Sequence, residues 1–412
     1  MTARALEDRF GAHNYHPLPV VVARGEGVWV WDDDGRRYLD MMSAYSAVSH
    51  GHRHPRILAA LKDQLDKIAV ISRAYYSEAL GPFLEKLCRL SGMDMALPMN
   101  TGAEAVETAI KAARRWGYEV KGIADDKAEI IVAKGNFHGR TTTIVGFSSD
   151  VQYQRHFGPF TPGFVTVPFG DAQALAAAIT PNTCAVLIEP IQGEAGIIVP
   201  SDGYLSRLRE ICDAQRVLLI LDEIQSGLGR TGKMFAFEHA GIRPDGLILG
   251  KALGGGVLPV SAFLARREVM ALFEPGSHGS TFGGNPLAAA VGSAAIDVLV
   301  EEKLAERSAE LGAYLKARIA ALNTPLITEV RGKGLWLGVE IDPDYVSARA
   351  LCERLKAQGV LSKETHDTVV RLAPPLVISR NELDWGIERF IAVIRALEAE
   401  LNLDSSKSRA SN

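Results

Sequence analysis

Cys184-Ala-Val-Leu-Ile188-Glu189, Val217-Leu-Leu-Ile-Leu221-Asp222 and Gly246-Leu-Ile-Leu249-Gly250-Lys251 decide the fold. Each run is apolar throughout instead of alternating, as suits a strand covered by helices on both faces of a parallel sheet. Each is followed at once by a charged residue. Glu129-Ile-Ile-Val-Ala133 has the same character, and helical patterns separate these runs from about residue 57 to 290. The reading is a large α/β domain over residues 56–290. Beyond it the pattern changes to long amphipathic helices over 288–322 and 381–401 around short strands at 327–330, 335–341 and 369–372. That predicts a smaller α+β domain over 291–403. Near the start, two apolar runs flank Asp32-Asp33-Asp34-Gly35, a hairpin with an Asp-Gly turn, and residues 1–55 are assigned to the small domain. The polar, Ser-rich stretch 404–412 reads as a disordered tail.

Composition narrows the function. The chain has 412 residues, 47% hydrophobic and 23% charged, with a formal net charge of −4, so no global positive field recruits nucleic acid or an anionic membrane. A small-molecule partner is expected. The four cysteines, Cys88, Cys184, Cys212 and Cys352, lie far apart without C-x-x-C spacing, which fits reduced thiols in a cytoplasmic protein. Residues 1–10 offer no apolar signal core, and no apolar run approaches the roughly 18 residues of a membrane span. The acidic run at 32–34 lacks the spaced ligands and closing Glu of a calcium loop. His50, His52 and His54 stand beside turn residues with no acidic or Cys partner nearby, so no metal is expected.

In an open parallel sheet, ligands gather at the carboxyl ends of the strands, and Glu189, Asp222 and Lys251 all fall there. Singly, each is as well explained by a cap or surface ion pair; together they form a site. A lysine at a partly desolvated strand end has a lowered pKa, as an imine-forming amine requires. Asp222 can keep a pyridine-type nitrogen protonated, making such a ring an electron sink. Gly254-Gly-Gly256, just after Lys251, is read as space for a bulky ligand against the backbone. Thr101-Gly102-Ala103 precedes a predicted helix over 105–116, where small residues and free N–H groups suit a phosphate; alone, such a turn is usually only a cap.

Several motifs in combination resemble the class III (ω) aminotransferases: Asn100-Thr-Gly-Ala-Glu104, Asn136-Phe-His-Gly-Arg140, Glu189-Pro-Ile-Gln-Gly-Glu194, Leu221-Asp-Glu-Ile-Gln225, Gly250-Lys251 and His278-Gly-Ser-Thr281. The likeness runs from Gly11 to about Leu401, and within the family it is greatest to the branch acting on ornithine, through residues 11–19, 43–48, 193–195 and 370–375. His138 stands where some members of that branch carry Trp. The resemblance implies the fold type I (aspartate aminotransferase-like) architecture of pyridoxal-phosphate enzymes. It also implies Lys251 as the cofactor-bearing lysine, Asp222 on the ring nitrogen, Phe137 against the ring with His138 beside it, and Gln225 on the phenolic oxygen. Thr101, Gly102 and Ala103 fall to the phosphate, with Ser280 and Thr281 reaching in from a neighbouring subunit. A homodimer or dimer of dimers follows.

For the substrates, the resemblance implies ornithine and 2-oxoglutarate, with glutamate as product. A dicarboxylate wants two cationic forks, for which arginine is best suited, and Arg140 and Arg371 are the candidates. Ornithine reacting at its δ-amine has no carboxylate near the reacting carbon, so the proximal arginine needs another partner. The resemblance gives that task to Glu194 against Arg371, gives the distal carboxylate to Arg140, and places Tyr15 and Tyr45 around the ornithine chain. Relatives acting on N-acetylornithine, 4-aminobutyrate or a diamine are the alternative.

Overall fold

The quoted runs form the strands Thr183–Ile188, Leu218–Asp222 and Gly246–Leu249 of a computed structural model whose described residues are 1–403. They pair in parallel at the centre of a seven-stranded sheet. Its order is Met95–Met99, Ser261–Ala265, Gly246–Leu249, Leu218–Asp222, Thr183–Ile188, Glu129–Ala133 and Phe164–Val167. Ser261–Ala265 runs antiparallel to both of its neighbours. Every residue of the three central strands is buried, as unbroken apolar runs require.

Alternation along the strands sorts these side chains into two cores. Leu218 and Ile220 pack in the cluster that includes Ala105, Ala109 and Ile110 of the helix Gly102–Trp116. Leu219 and Leu221 pack in the cluster that includes Leu205, Leu208 and Cys212 of the helix Tyr204–Gln215. Each such side chain contributes roughly 1.5–3 kcal/mol on burial. The two-residue period then turns Asp222 to the same side as Leu218 and Ile220, towards the helix Gly102–Trp116.

The C-terminal part carries an antiparallel sheet in the order Ile327–Gly332, Leu337–Ile341, Val369–Leu372 and Lys363–Thr365. The helix Arg380–Glu400 starts with a capping box between Ser379 and Glu382. Close to the chain start, Val22–Glu26, Trp29–Asp32 and Arg37–Asp40 form a sheet whose fourth strand, Val360–Leu361, lies parallel to Arg37–Asp40. The helical stretch expected over 288–322 divides into Pro286–Glu301 and Leu304–Ala320, because Lys303 adopts a left-handed φ of +52° between them. Among the described residues, no helix is long and apolar enough to cross a membrane. The expected disordered tail lies outside the described residues.

Candidate active site

At the carboxyl edge of the large sheet, a cavity of about 200 Å³ that opens to solvent is lined by Gly102, Ala103, Phe137, His138, Gly139, Glu189, Ile191, Asp222, Ile224, Gln225, Ser226 and Lys251. The three strand-end residues read from sequence therefore meet. Lys251 begins a short 3-10 turn with φ +45°, a left-handed conformation that costs an ordinary residue energy and recurs at functional sites. Burial pushes its ammonium below the ordinary lysine range, against the pull of Glu194 and Asp222. Asp222 is 4% exposed and accepts hydrogen bonds from His138 Nδ1 at 2.7 Å and from the Ile224 amide at 3.0 Å. Burial opposes charge on His138, but the hydrogen bond and charge of Asp222 prevail and raise its pKa.

Glu189 accepts from the amides of Phe137 at 3.0 Å and Gly193 at 3.3 Å, tying together two loops of the cavity. Burial pushes it up to about 7, against His138 and those two donors. Beside the cavity, Arg371 Nη1 donates to Glu194 Oε1 at 2.9 Å, with Arg371 only 1% exposed. Although burial opposes the charge of Glu194, Arg371 and then Lys251 and Arg140 hold its carboxyl below the usual range. Tyr45 lies under this pair, its ring 5.5 Å from the Arg371 guanidinium. By contrast, Arg140 is exposed and rests on the Tyr153 ring at 4.2 Å, with no carboxylate partner among the described residues.

Comparison with known proteins decides the family. The class-III aminotransferase model matches residues 10–394. This chain belongs to the class-III aminotransferases. It is 58% identical over 391 residues to the ornithine aminotransferase of Brevibacillus brevis, covering 95% of this chain and 97% of that one. The solved ornithine aminotransferase of Toxoplasma gondii matches with a TM-score of 0.96 at 44% identity, over 97% of this chain and 95% of that one. A solved acetylornithine aminotransferase from Elizabethkingia anophelis matches with a TM-score of 0.87 at 48% identity, over 95% and 98%. The α/β architecture with its smaller second sheet is that of fold type I, as the sequence led one to expect.

The cavity of this class-III aminotransferase fits pyridoxal phosphate. Lys251 faces it with no hydrogen-bond partner among the described residues, and Asp222 is a buried, oriented carboxylate on the same wall. A capping box between Thr101 and Glu104 starts the helix Gly102–Trp116, three residues before the expected 105. It engages the amides of Thr101 and Glu104 and leaves those of Gly102 and Ala103 free, at the positive end of the helix dipole. Gly139 has φ +127°, and a Cβ there would lie 2.9 Å from that of Ala103, so the loop closes on the helix start only as glycine.

Other expected residues fall elsewhere. Gly254, Gly255 and Gly256 do not line the cavity: side chains there would meet Val260, Ile57 and Val48, so these glycines serve close packing after the turn and not ligand access. Ser280 bonds Asn100 Nδ2 at 3.0 Å in its own chain, and neither it nor Thr281 lines the cavity. Tyr15 is 71% exposed. His50, His52 and His54 go to separate acceptors, Ala295 O, Asp40 and Glu302. Unread from sequence were Tyr153 under Arg140, Thr365 on Arg371, and Arg230. That arginine is fully buried and donates to Leu335 O, Pro374 O, Ser43 Oγ and Ser49 Oγ. Arg230 carries no local signal, since its contacts are made across long stretches of chain, whereas Thr365 and Tyr153 lie only six and thirteen residues from their arginines and are brought to them by a strand pairing and a loop that no hydrophobic period records.

Proposed function

We propose that this protein transfers the δ-amino group of L-ornithine to 2-oxoglutarate with pyridoxal phosphate as cofactor. The products are glutamate and glutamate 5-semialdehyde, which cyclises to pyrroline-5-carboxylate. One observation carries the substrate reading: of two arginines near the cavity, Arg371 is buried and covered by Glu194 at 2.9 Å, while Arg140 is exposed and free of carboxylates. A substrate with a carboxylate only at its far end leaves Glu194 in place. A dicarboxylate displaces it and uses both arginines. The proposal agrees with the names of two of the relatives reported above, those from Brevibacillus brevis and Toxoplasma gondii, and the acetylornithine enzyme is the rival that the amine panel separates.

When bound, the cofactor supplies an aldehyde carbon for amino groups and a protonated ring that draws electrons from the amine-bearing carbon. Lys251 Nζ, its charge disfavoured by burial, moves the proton at that carbon. Asp222 holds the proton of the ring nitrogen, and His138 fixes the orientation of Asp222. The free amides of Gly102 and Ala103, beside Thr101, take the phosphate. Phe137 and Gln225, both lining the cavity, would hold the ring face and its phenolic oxygen, and Glu189 braces the loop that bears Phe137. Tyr45, with Tyr15 at the mouth, lines the path of the ornithine chain.

Ser280 and Thr281 complete the phosphate site of a second copy in a homodimer. Exposed Leu65, Ile68, Val70, Tyr75, Tyr76 and Phe282 give that partner an apolar surface to cover. Four free thiols, three of them buried, suit work in the cytoplasm. The test is an amine panel with 2-oxoglutarate: ornithine, N-acetylornithine, 4-aminobutyrate and putrescine, trapping pyrroline-5-carboxylate with o-aminobenzaldehyde. Ornithine is expected to give the highest kcat/KM. A higher value with N-acetylornithine or another amine overturns the assignment.

A further inference from the structure

The two terminal nitrogens of Arg371 are held by partners of different kinds. Nη1 donates to the Glu194 carboxylate at 2.9 Å, whereas Nη2 donates to Thr365 Oγ1 at 2.5 Å and to Gly193 O at 3.1 Å. The hydroxyl and the carbonyl are neutral, so they orient the guanidinium without cancelling its charge. Among the described residues, Glu194 is its only ionic partner. On the reading proposed above, that partner leaves when a dicarboxylate arrives. A buried guanidinium held by one movable carboxylate alone would then be free to reorient.

Thr365 is placed to prevent this. It ends the strand Lys363–Thr365, which pairs with the strand Val369–Leu372 that carries Arg371. Thr365 stands opposite Val369, so Arg371, two residues on, is its diagonal neighbour on the same sheet face. Thr365 is 8% exposed, and its hydroxyl oxygen is engaged by Arg371 Nη2.

We propose that Thr365 is a positioning residue that holds Nη2 through both half reactions, so that only Nη1 is exchanged between Glu194 and the substrate carboxylate. The inference rests on the Arg371 role proposed above and names what keeps that arginine in place. Its role differs from that of Glu194, whose removal exposes the charge; loss of Thr365 leaves the charge masked but mobile.

The test is single-turnover kinetics of the cofactor-loaded enzyme with glutamate and with ornithine. Thr365→Val, which deletes the hydroxyl at nearly constant shape, is expected to lower kcat/KM for glutamate about tenfold or more, as loss of a charge-assisted hydrogen bond implies. The loss falls mainly on binding of glutamate. Ornithine, which leaves Glu194 on Arg371, is expected to change by less than about threefold, and that retained rate also shows the variant folded. Thr365→Ser, which restores the hydroxyl, is expected to recover glutamate turnover. Equal losses in both half reactions, no loss with glutamate, or a Ser variant without recovery overturns the proposal. A wild-type enzyme inactive on ornithine overturns the assigned reaction instead, and the glutamate comparison is then run against whichever distal amine it accepts.

Discussion

His138 and Asp222 show how one side chain directs another at the base of the cavity. The pair is buried at 2.7 Å, and the second ring nitrogen of His138 has no partner among the described residues. Since the folded pKa of His138 is raised above 6.5, the charged pair contributes fully below that value and its contribution fades as pH rises through the folded pKa. His138→Phe should therefore destabilise the cofactor-free protein by roughly 3–5 kcal/mol at pH 6 and by less at pH 9, read from thermal melts. An equal loss at both pH values contradicts a charged pair. Lys251→Ala should reduce turnover by at least about 10²–10⁴-fold and remove the visible absorption of lysine-bound cofactor, while phosphate contacts still hold the cofactor. Normal steady-state activity contradicts the role given to Lys251. At this scale Lys251, Asp222 and Glu189 were legible because strand ends are where ligands collect. His138 was placed beside the ring by resemblance, but its bond to a residue 84 positions away was not legible.

Among the elements, the loop after Thr183–Ile188 is tightly constrained. A Cβ on Gly193 would sit 2.0 Å from Gln225 Oε1 and 2.9 Å from Trp336. Gly193→Ala is thus expected to drive Gln225 out of its place, costing about 1–3 kcal/mol of stability and weakening cofactor affinity, measured by melting and by cofactor titration. Unaltered affinity would mean that Gln225 does not contact the cofactor. The turn Ser43–Ser46 has positive φ at all of its residues and presents Tyr45 to Arg371. Arg230 holds this strained turn through Ser43 and also caps Leu335 O and Pro374 O. Arg230→Met leaves those two carbonyls without their donor and should cost roughly 2–5 kcal/mol, with a fall in activity as Tyr45 shifts. The hydrophobic periods gave away four central strands of the large sheet and the long C-terminal helices, but not its strands Met95–Met99, Phe164–Val167 and Ser261–Ala265, nor the break at Lys303. Nor could they separate glycines that admit a ligand from glycines that admit Ile57 and Val48, because both look alike without a neighbour in view.

Across the whole molecule, the large sheet supplies Lys251 and Asp222 while the C-terminal sheet supplies Arg371, so the site depends on how the two are docked. The change of pattern near residue 290 falls between the strands of the large sheet and those of the C-terminal sheet. What it hid was the strand Val360–Leu361 joining the N-terminal strands, a pairing across more than three hundred residues that no local period records. A dimer is expected in solution, with light scattering giving twice the chain mass; a monomer with full activity contradicts the assignment of Ser280 and Thr281 to a neighbour's phosphate. The proposed switch has Glu194 covering Arg371 for one substrate and releasing it for the other. Its most direct test is the pair of single-turnover rates of Glu194→Ala with ornithine and with glutamate. The ornithine half reaction should fall about tenfold or more, from the uncovered guanidinium beside the reacting carbon, while the glutamate half reaction holds or quickens. A parallel fall in both rates would contradict the switch.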